Sequence, residues 1–507
     1  MQNPDNTPVI VAVGEFTDRP KDTAQALEPV ALMAEALAGA NKDGGGDLLS
    51  RIDTIEVVGL VSWRYTNPVS QLCRTIGINP IRQRNASMGG ETPIRLVHDA
   101  ALAISRGEQQ VVAIVGGEAM NAVSKARKQK IDLPWTPLAS REEAVRFAND
   151  RIEVSPISKL IGVRDPSQMY PLYEMAAQKT WQQTPAEGNN DSAQLWADYA
   201  AIAADNPFAW LRHAPSAQDI ASVTADNRYI SWPYPKLMVA NPAVNQSAAI
   251  IVSSLTVARE AGVPQDKLIY IHGGAAAAEP DDYLYRDRYD RSSAQTGVLK
   301  KAVELAGGDA NNFSKIELYS CFPVVPKMAL KVLNLKSASV KPTVAGGLTF
   351  FGGPLNNYMS HATCAMVKAL RKGPGELGLL YGQGGFVTKH HSLVLSTDAA
   401  TSPLAQDYSV QVEANHAMSP IPDINPNYTG PAIIETYTVQ YGRGGEAEQG
   451  VVIVRSPDNQ RSLARVGVED IESMSVLLNK SQSAVGIMGQ LSIDAESRPN
   501  WKADTNI

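Results

Sequence analysis

Cysteine is scarce in this 507-residue chain: Cys73, Cys321 and Cys364 are the only three. They are too few and too scattered for a disulfide framework or a zinc site, which fits a reducing compartment. Long apolar runs are missing too. No stretch approaches the ~18 apolar residues of a spanning helix, and the opening MQNPDNTP lacks the basic start and apolar core of a signal peptide. The closing TNI is no peroxisomal address. Cytoplasmic residence without membrane insertion is the expectation. An excess of positive charge is also lacking: the net charge is −6, so no long-range field favours nucleic acid. The acidic residues show no metal-ligand spacing, and no metal is expected. Heptads and low-complexity tracts do not occur.

What is present is an ordinary globular composition, 44% hydrophobic and 19% charged, with 38 Gly and 32 Pro that call for many loops. The length exceeds what one core usually serves, so two or three domains are expected. Short apolar runs at Val9 to Val13, Ile55 to Leu60 and Val111 to Val115 alternate with helical spacing at Val30, Met33, Ala34 and Leu37 and over Thr92 to Ser105. That rhythm implies a parallel sheet with crossover helices. From about Asn121 to about Asp226 it breaks into a Trp-, Tyr-, Arg- and Pro-rich insertion, read as largely helical with stretches near Arg141 to Asp150 and Tyr173 to Gln182. It resumes with strands at Ala248 to Leu255, Leu268 to His272, Lys315 to Tyr319, Gly378 to Tyr381 and Leu393 to Ser396. Helices at Gly297 to Leu305, Pro326 to Leu333 and Asn357 to Leu370 separate them. Two halves of comparable length, 1–255 and 256–400, hint at a duplicated fold. A β-rich domain at 401–507 follows, with alternating segments Ile433 to Tyr441 and Gly450 to Arg455 around the turn GRGG.

Four segments carry chemistry. NASMGGETP at 85–93 is a tight turn entering a helix, where unpaired N–H groups and the helix dipole point outward. ELYSCF at 317–322 ends a strand at the sheet edge where α/β proteins bind ligands. GGLTFFGGPLNN at 346–357 and YGQGGFVTKH at 381–390 are glycine-rich, so their backbone can approach a ligand closely.

In this order and spacing, with AISRG at 103–107, VVAIVGGEAM at 111–120 and NQSAAIIV at 245–252, the segments resemble the thiolase superfamily over roughly residues 8–397. The similarity is nearest to the sterol-carrier-protein-type thiolases and type 1 thiolase-like proteins. The resemblance implies a thiolase fold: two βαβαβαββ halves in five layers, α/β/α/β/α, with the helical insertion (about 121–226) and a small β-rich C-terminal domain, OB-like in kind. It also implies an acyl-CoA partner, nominally acetyl-CoA acetyltransferase chemistry, no further cofactor, and a monomer or homodimer.

The chain departs from the family at all three reactive positions. Counting from AISRG, the cysteine nucleophile falls on Gly90. The Gly-His-Pro triplet reads Gly352, Gly353, Pro354, and Cys-x-Gly reads Gly382, Gln383, Gly384. Glycine cannot attack a thioester, so acyl transfer by the usual route is excluded. The backbone donors that the family places at Gly90 and Gly384 survive to polarise a carbonyl. Gly90, Gly353, Gly384 and Cys321 are therefore expected to line the thioester site. Tyr319, His390 and His361 are the candidates for catalysis. Three readings follow: an acyl-CoA-handling protein without a thiol, a CoA-thioester retro-aldolase or lyase using Tyr319, and a non-catalytic binding or scaffold protein. Cys73 and Cys364 read as core residues, and the basic run Lys125, Arg127, Lys128 and Lys130 as a solvated loop, with contact to the nucleotide phosphates of CoA as the alternative.

Overall fold

The computed structural model describes residues 6–45, 47–148, 154–336 and 340–504. The first half runs β1 (Pro8–Thr17), α1 (Pro29–Gly44), β2 (Thr54–Val57), α2 (Pro68–Ile76), β3 (Arg82–Asn85), α3 (Thr92–Ser105), β4 (Val111–Ala119) and α4 (Met120–Gln129). The insertion contributes α5 (Pro156–Ile161), α6 (Pro166–Thr180), α7 (Pro185–Asp205), α8 (Ala217–Ala221), β5 (Tyr229–Ser231) and β6 (Tyr234–Pro235). Strand β7 (Asn245–Ser254) and helix α9 (Leu255–Glu260) complete this half. The second half comprises β8 (Ile269–Ala278), α10 (Ser293–Leu305), β9 (Phe313–Leu318), α11 (Val324–Leu333), α12 (Tyr358–Leu370), β10 (Leu377–Gly384) and β11 (Lys389–Ser396). After α13 (Gln411–Ala417) come β12 (Gly430–Tyr441), β13 (Ala447–Arg455), β14 (Arg461–Gly467), α14 (Ile471–Leu477), β15 (Met488–Ile493) and β16 (Pro499–Ala503).

The order of the large sheet, β3-β2-β4-β7-β1-β8-β11-β10-β9, records the duplication. Outward from the β1–β8 boundary, each half places its first strand, then its last, then its last but one, then its second. The halves join through a short antiparallel contact, Val9 opposite Tyr270 and Ile10 opposite Ile269. Strand side chains alternate between faces. Val9, Val11, Ile55, Val57, Val111, Ala113 and Ile251 share one core with Leu37 of α1 and Leu72 of α2. Ile10, Val112, Ile114, Ile250 and Val252 enter another with α3, α12 and the second half. Both faces of β1, β4 and β7 are therefore covered, which is why they read as near-continuous apolar runs, whereas the edge strand β3 is exposed. Among the described residues no helix is long and apolar enough to cross a membrane.

The smaller sheet has the order β13-β14-β16-β15-β12-β5-β6, and the additional pairing of β12 with β13 closes its five C-terminal strands into a ring. Strands β5 and β6 are lent by the insertion. The ring is fixed to the body by Arg461, whose guanidinium pairs with Glu435 at 2.7 Å and donates to Leu284 O at 2.6 Å and Asp287 O at 3.3 Å.

One expected element is corrected. The helix read near Arg141 to Asp150 is absent over its described residues 141–148, which form turns. Their backbone bonds elsewhere: Val145 N to Tyr65 O, Ala139 N to Arg64 O just before it, and Ala148 O accepting from Met88 N. Residues 149 and 150 lie outside the described residues. Conversely, the basic run of the insertion is helical up to Gln129, in α4, and exposed.

Candidate functional site

Helix α3 begins immediately after the Ser87–Glu91 turn, with Pro93 in its first turn, where a missing N–H costs nothing. Gly89 N donates to Asn356 Oδ1 at 3.0 Å, and Asn356 Nδ2 donates to Gly59 O at 3.0 Å. The turn is thereby held against the glycine-rich 346–357 segment. Among the described residues the Gly90 N–H meets no acceptor.

What surrounds Gly90 decides its chemistry. A β-carbon added there would lie 2.3 Å from Gln383 O and 2.4 Å from the Tyr319 hydroxyl. The space that a nucleophile would need is thus occupied by a backbone carbonyl and a phenol ring. Gly353 differs: its nearest neighbours to a β-carbon are Leu348 O at 3.4 Å and Asn241 O at 3.5 Å, ordinary contact distances. At Gly384 a β-carbon would fall 2.0 Å from Glu91 Oε2 and 3.2 Å from Gly90 N. The Glu91 carboxylate therefore lies on the face of Gly384, beside the free amide of Gly90.

Glu91 is a residue that the sequence reading passed over. It is 6% exposed, and its Oε2 is buried with no hydrogen-bond partner among the described residues. Burial raises its pKa above the ordinary carboxylate range, against the opposing pull of its own backbone N–H, Arg95 and Lys389. It opens onto a cavity of about 260 Å³, walled by Ala276, Ala277, Lys389, His390, His391 and Tyr408. The only signal in the sequence was an acidic residue directly after the turn, at the positive end of a helix.

Tyr319 follows β9 and packs edge-on against Tyr358, ring centroids 6.0 Å apart. Its hydroxyl makes no hydrogen bond with any described residue. Burial, with the nearby Cys321 and Glu91, pushes its pKa well above the ordinary phenol value, so it stays protonated and acts as a donor. Cys321 is buried, receives a hydrogen bond from Gln383 Nε2 at 3.3 Å, and has its thiol pushed up to about 12 by burial. A thiolate is not available there at neutral pH.

The β10–β11 hairpin that presents Gly384 is gripped by the insertion. Tyr170 OH donates to Gly385 O at 3.0 Å and Tyr173 OH to Phe386 O at 2.6 Å, both from α6. Gln383 Nε2 in turn donates to Tyr170 OH at 2.7 Å.

Of the two histidine candidates, His390 lines the cavity beside Glu91 with both ring nitrogens engaged, and His361 lies apart from it. His390 Nδ1 meets Tyr381 OH at 2.8 Å, and its Nε2 lies 3.2 Å from both Ser292 Oγ and Val387 O. Burial pushes its pKa down to about 4, which keeps it neutral. His361 Nδ1 is 2.9 Å from Glu15 Oε1, inside the α12–β1 packing, and its Nε2 is buried without a partner. The structure brings Gly90, Gly384, Tyr319 and Glu91 together, with Cys321 one hydrogen bond away through Gln383. Cys73 and Cys364 are buried on α2 and α12. Among the described residues no three His, Cys, Asp or Glu side chains converge on a metal position.

Comparison with known proteins bears on the fold. Residues 411–496 match the family described as the thiolase-like protein type 1 additional C-terminal domain. No curated protein matches the chain. Among solved structures it is similar to a monomeric SCP2-thiolase-like protein type 1 from Mycobacterium smegmatis, with 28% identity and a TM-score of 0.83 over 99% of this chain and 100% of that one. It also shares its fold with the Ltp2–ChsH2(DUF35) aldolase, at 18% identity and a TM-score of 0.57 over 77% of this chain and 98% of that one. A third likeness is to the dimeric peroxisomal thiolase of Saccharomyces cerevisiae, at 13% identity and a TM-score of 0.55 over 78% of this chain and 99% of that one.

Proposed function

Starting from a thiolase-like protein of type 1, we propose that this chain binds a coenzyme A thioester at the Gly90 turn and acts on it without an acyl-enzyme, by retro-aldol cleavage of a β-hydroxyacyl thioester. The observation that carries this reading is the contact between Gly90 and Tyr319. No side chain fits at Gly90, and the hydroxyl that fills the space is a neutral donor.

The chemistry then falls to Glu91. Its carboxylate takes the proton of the β-hydroxyl, the Cα–Cβ bond breaks, and its electron pair passes to the thioester as an enolate. A carbonyl compound leaves. The Glu91 carboxyl returns its proton to Cα, so atoms and charge balance within one residue. Gly90 N–H and Tyr319 O–H donate to the thioester oxygen, where the negative charge develops. A carboxyl raised by burial holds a proton more readily than an exposed one, which suits a group that must both accept and give one back. The aldolase named among the structural neighbours fits this class, although at 18% identity it speaks for fold alone.

The test has two stages. Calorimetry with CoA and acetyl-CoA reports binding; deuterium uptake at the acyl α-carbon reports enolisation. Exchange in the wild type that is lost in Glu91→Gln with binding retained supports the reading. Binding without exchange or cleavage of any β-hydroxyacyl-CoA leaves a binding protein, and no binding at all removes the thioester.

A further inference from the structure

A second cleft, of about 320 Å³ and lined in part by Met88, lies between the loop after β2 and the 139–148 segment. Its walls include Trp63, Tyr65 and Phe147, with Arg64, Arg141 and Arg146 around them. Among the described residues no acidic side chain lines it. Glu143 of the same loop is turned onto Ser140 N at 3.3 Å.

Among the described residues, most of the donors of the three guanidiniums have no protein partner. Arg64 uses only its Nε, donating to Ala139 O at 3.0 Å, which fixes the side chain and leaves its terminal nitrogens free. Arg141 and Arg146 are exposed and make no ion pair or hydrogen bond with any described residue. The cleft lining thus holds three cations and, among the described residues, no anion, and guanidiniums favour phosphate geometry. The half-buried Trp63 spends its indole N–H on Thr136 O at 2.9 Å and stands edge-on to Trp135, so what it offers the cleft is ring surface. A planar ring in one cleft with three cations is a combination that holds a base and its phosphates. The volume lies at the lower end of the ~300–1,000 Å³ range of small-molecule sites, which suits one nucleotide and not a polymer.

From this geometry we infer that the cleft is a binding site for a single phosphorylated purine nucleoside. The site stands independently of the thioester reading. Its ligand is either a free mononucleotide or the 3′-phosphorylated adenosine end of coenzyme A, which share this chemistry.

The experiment is calorimetry on the full chain with adenosine 3′,5′-bisphosphate, adenosine, inorganic pyrophosphate and CoA. The bisphosphate is expected to bind saturably, and adenosine and pyrophosphate each at least tenfold more weakly. Arg141→Ala/Arg146→Ala, whose side chains bond to no described residue, is expected to weaken it by about tenfold or more, the scale of lost charge-assisted contacts. Quenching of tryptophan emission on binding is expected to vanish in Trp63→Phe. Glu91→Gln is expected to leave the bisphosphate affinity unchanged, which separates this site from the thioester site. CoA matching the bisphosphate, with binding lost in the double arginine variant, identifies CoA as the source. CoA binding at least tenfold more weakly identifies a free nucleotide. Absence of saturable binding, pyrophosphate binding as tightly as the bisphosphate, or an affinity indifferent to the arginines overturns the inference.

Discussion

The hydroxyl of Tyr319 stands 2.4 Å from the point where a β-carbon on Gly90 would lie. With Gln383 O 2.3 Å from the same point, the pair excludes a nucleophile by volume as well as by chemistry. Gly90→Cys is therefore expected to recover no thiolysis of acetoacetyl-CoA. Gly90→Ala is expected to cost about 1–3 kcal/mol of stability, as overpacking does, whereas Gly353→Ala, with room for its methyl, is expected to change stability far less. Urea titration of the two variants checks this. Equal losses would mean that Gly90 is not crowded as described.

The buried carboxylate of Glu91 gives a pH signature. Its folded pKa lies above the unfolded one, so the folded state binds more protons between the two and stability falls as pH rises through that window. Glu91→Gln lacks the penalty. The midpoint of Glu91→Gln minus that of the wild type is expected to increase from about pH 4.5, the onset of carboxylate ionisation, and then to level off. A difference that is flat across that range would count against a raised pKa.

A buried cluster ties the insertion to the second half. The carboxylate of Glu174 on α6 is paired with Lys327 on α11 and receives Tyr234 OH at 2.6 Å and Gln178 Nε2 at 2.9 Å. Lys327→Met leaves that carboxylate in the interior without its cation, and a loss of about 3–5 kcal/mol is expected in denaturant titration. A loss under about 1 kcal/mol would place the pair among weak surface bridges.

The grip on the β10–β11 hairpin is also measurable. Removing the Tyr173 hydroxyl frees Phe386 O, and Tyr173→Phe is expected to cost about 0.5–1.5 kcal/mol, or more if the carbonyl stays dry. Hydrogen exchange at residues 385–388 is expected to quicken more than exchange in β1 or β4. Uniform quickening would argue against a local role.

Much of the body is legible in the sequence because local and global preferences agree there. The helix Thr92–Ser105 was expected at both ends, since a turn, Pro93 in the first turn and helical apolar spacing coincide. The 21-residue α7 went unread although its capping box, Thr184 with Glu187, stands in the sequence, because its polar composition masks the apolar face. The false helix over Arg141 to Asp150 shows the opposite failure: Val145 and Phe147 look amphipathic, while the backbone is claimed by Tyr65 and Met88. The site divides in the same way. Spacing located Gly90, Gly353 and Gly384, which belong to local turns. The importance of Glu91 depends on Gly384, almost 300 residues away, having no side chain, and the engagement of His390 depends on Tyr381 and Ser292. Relations of that range leave no local mark.

Strands β5 and β6 have their own consequence. They are made early in the chain yet hydrogen-bond to β12, through Ser231 opposite Gln440, some 200 residues later. During synthesis, Tyr229 and Trp232 must wait uncovered until the final hundred residues leave the ribosome. A nascent chain stalled before β12 would therefore carry an open, aromatic strand edge, the kind of surface that chaperones hold and that recruits other chains.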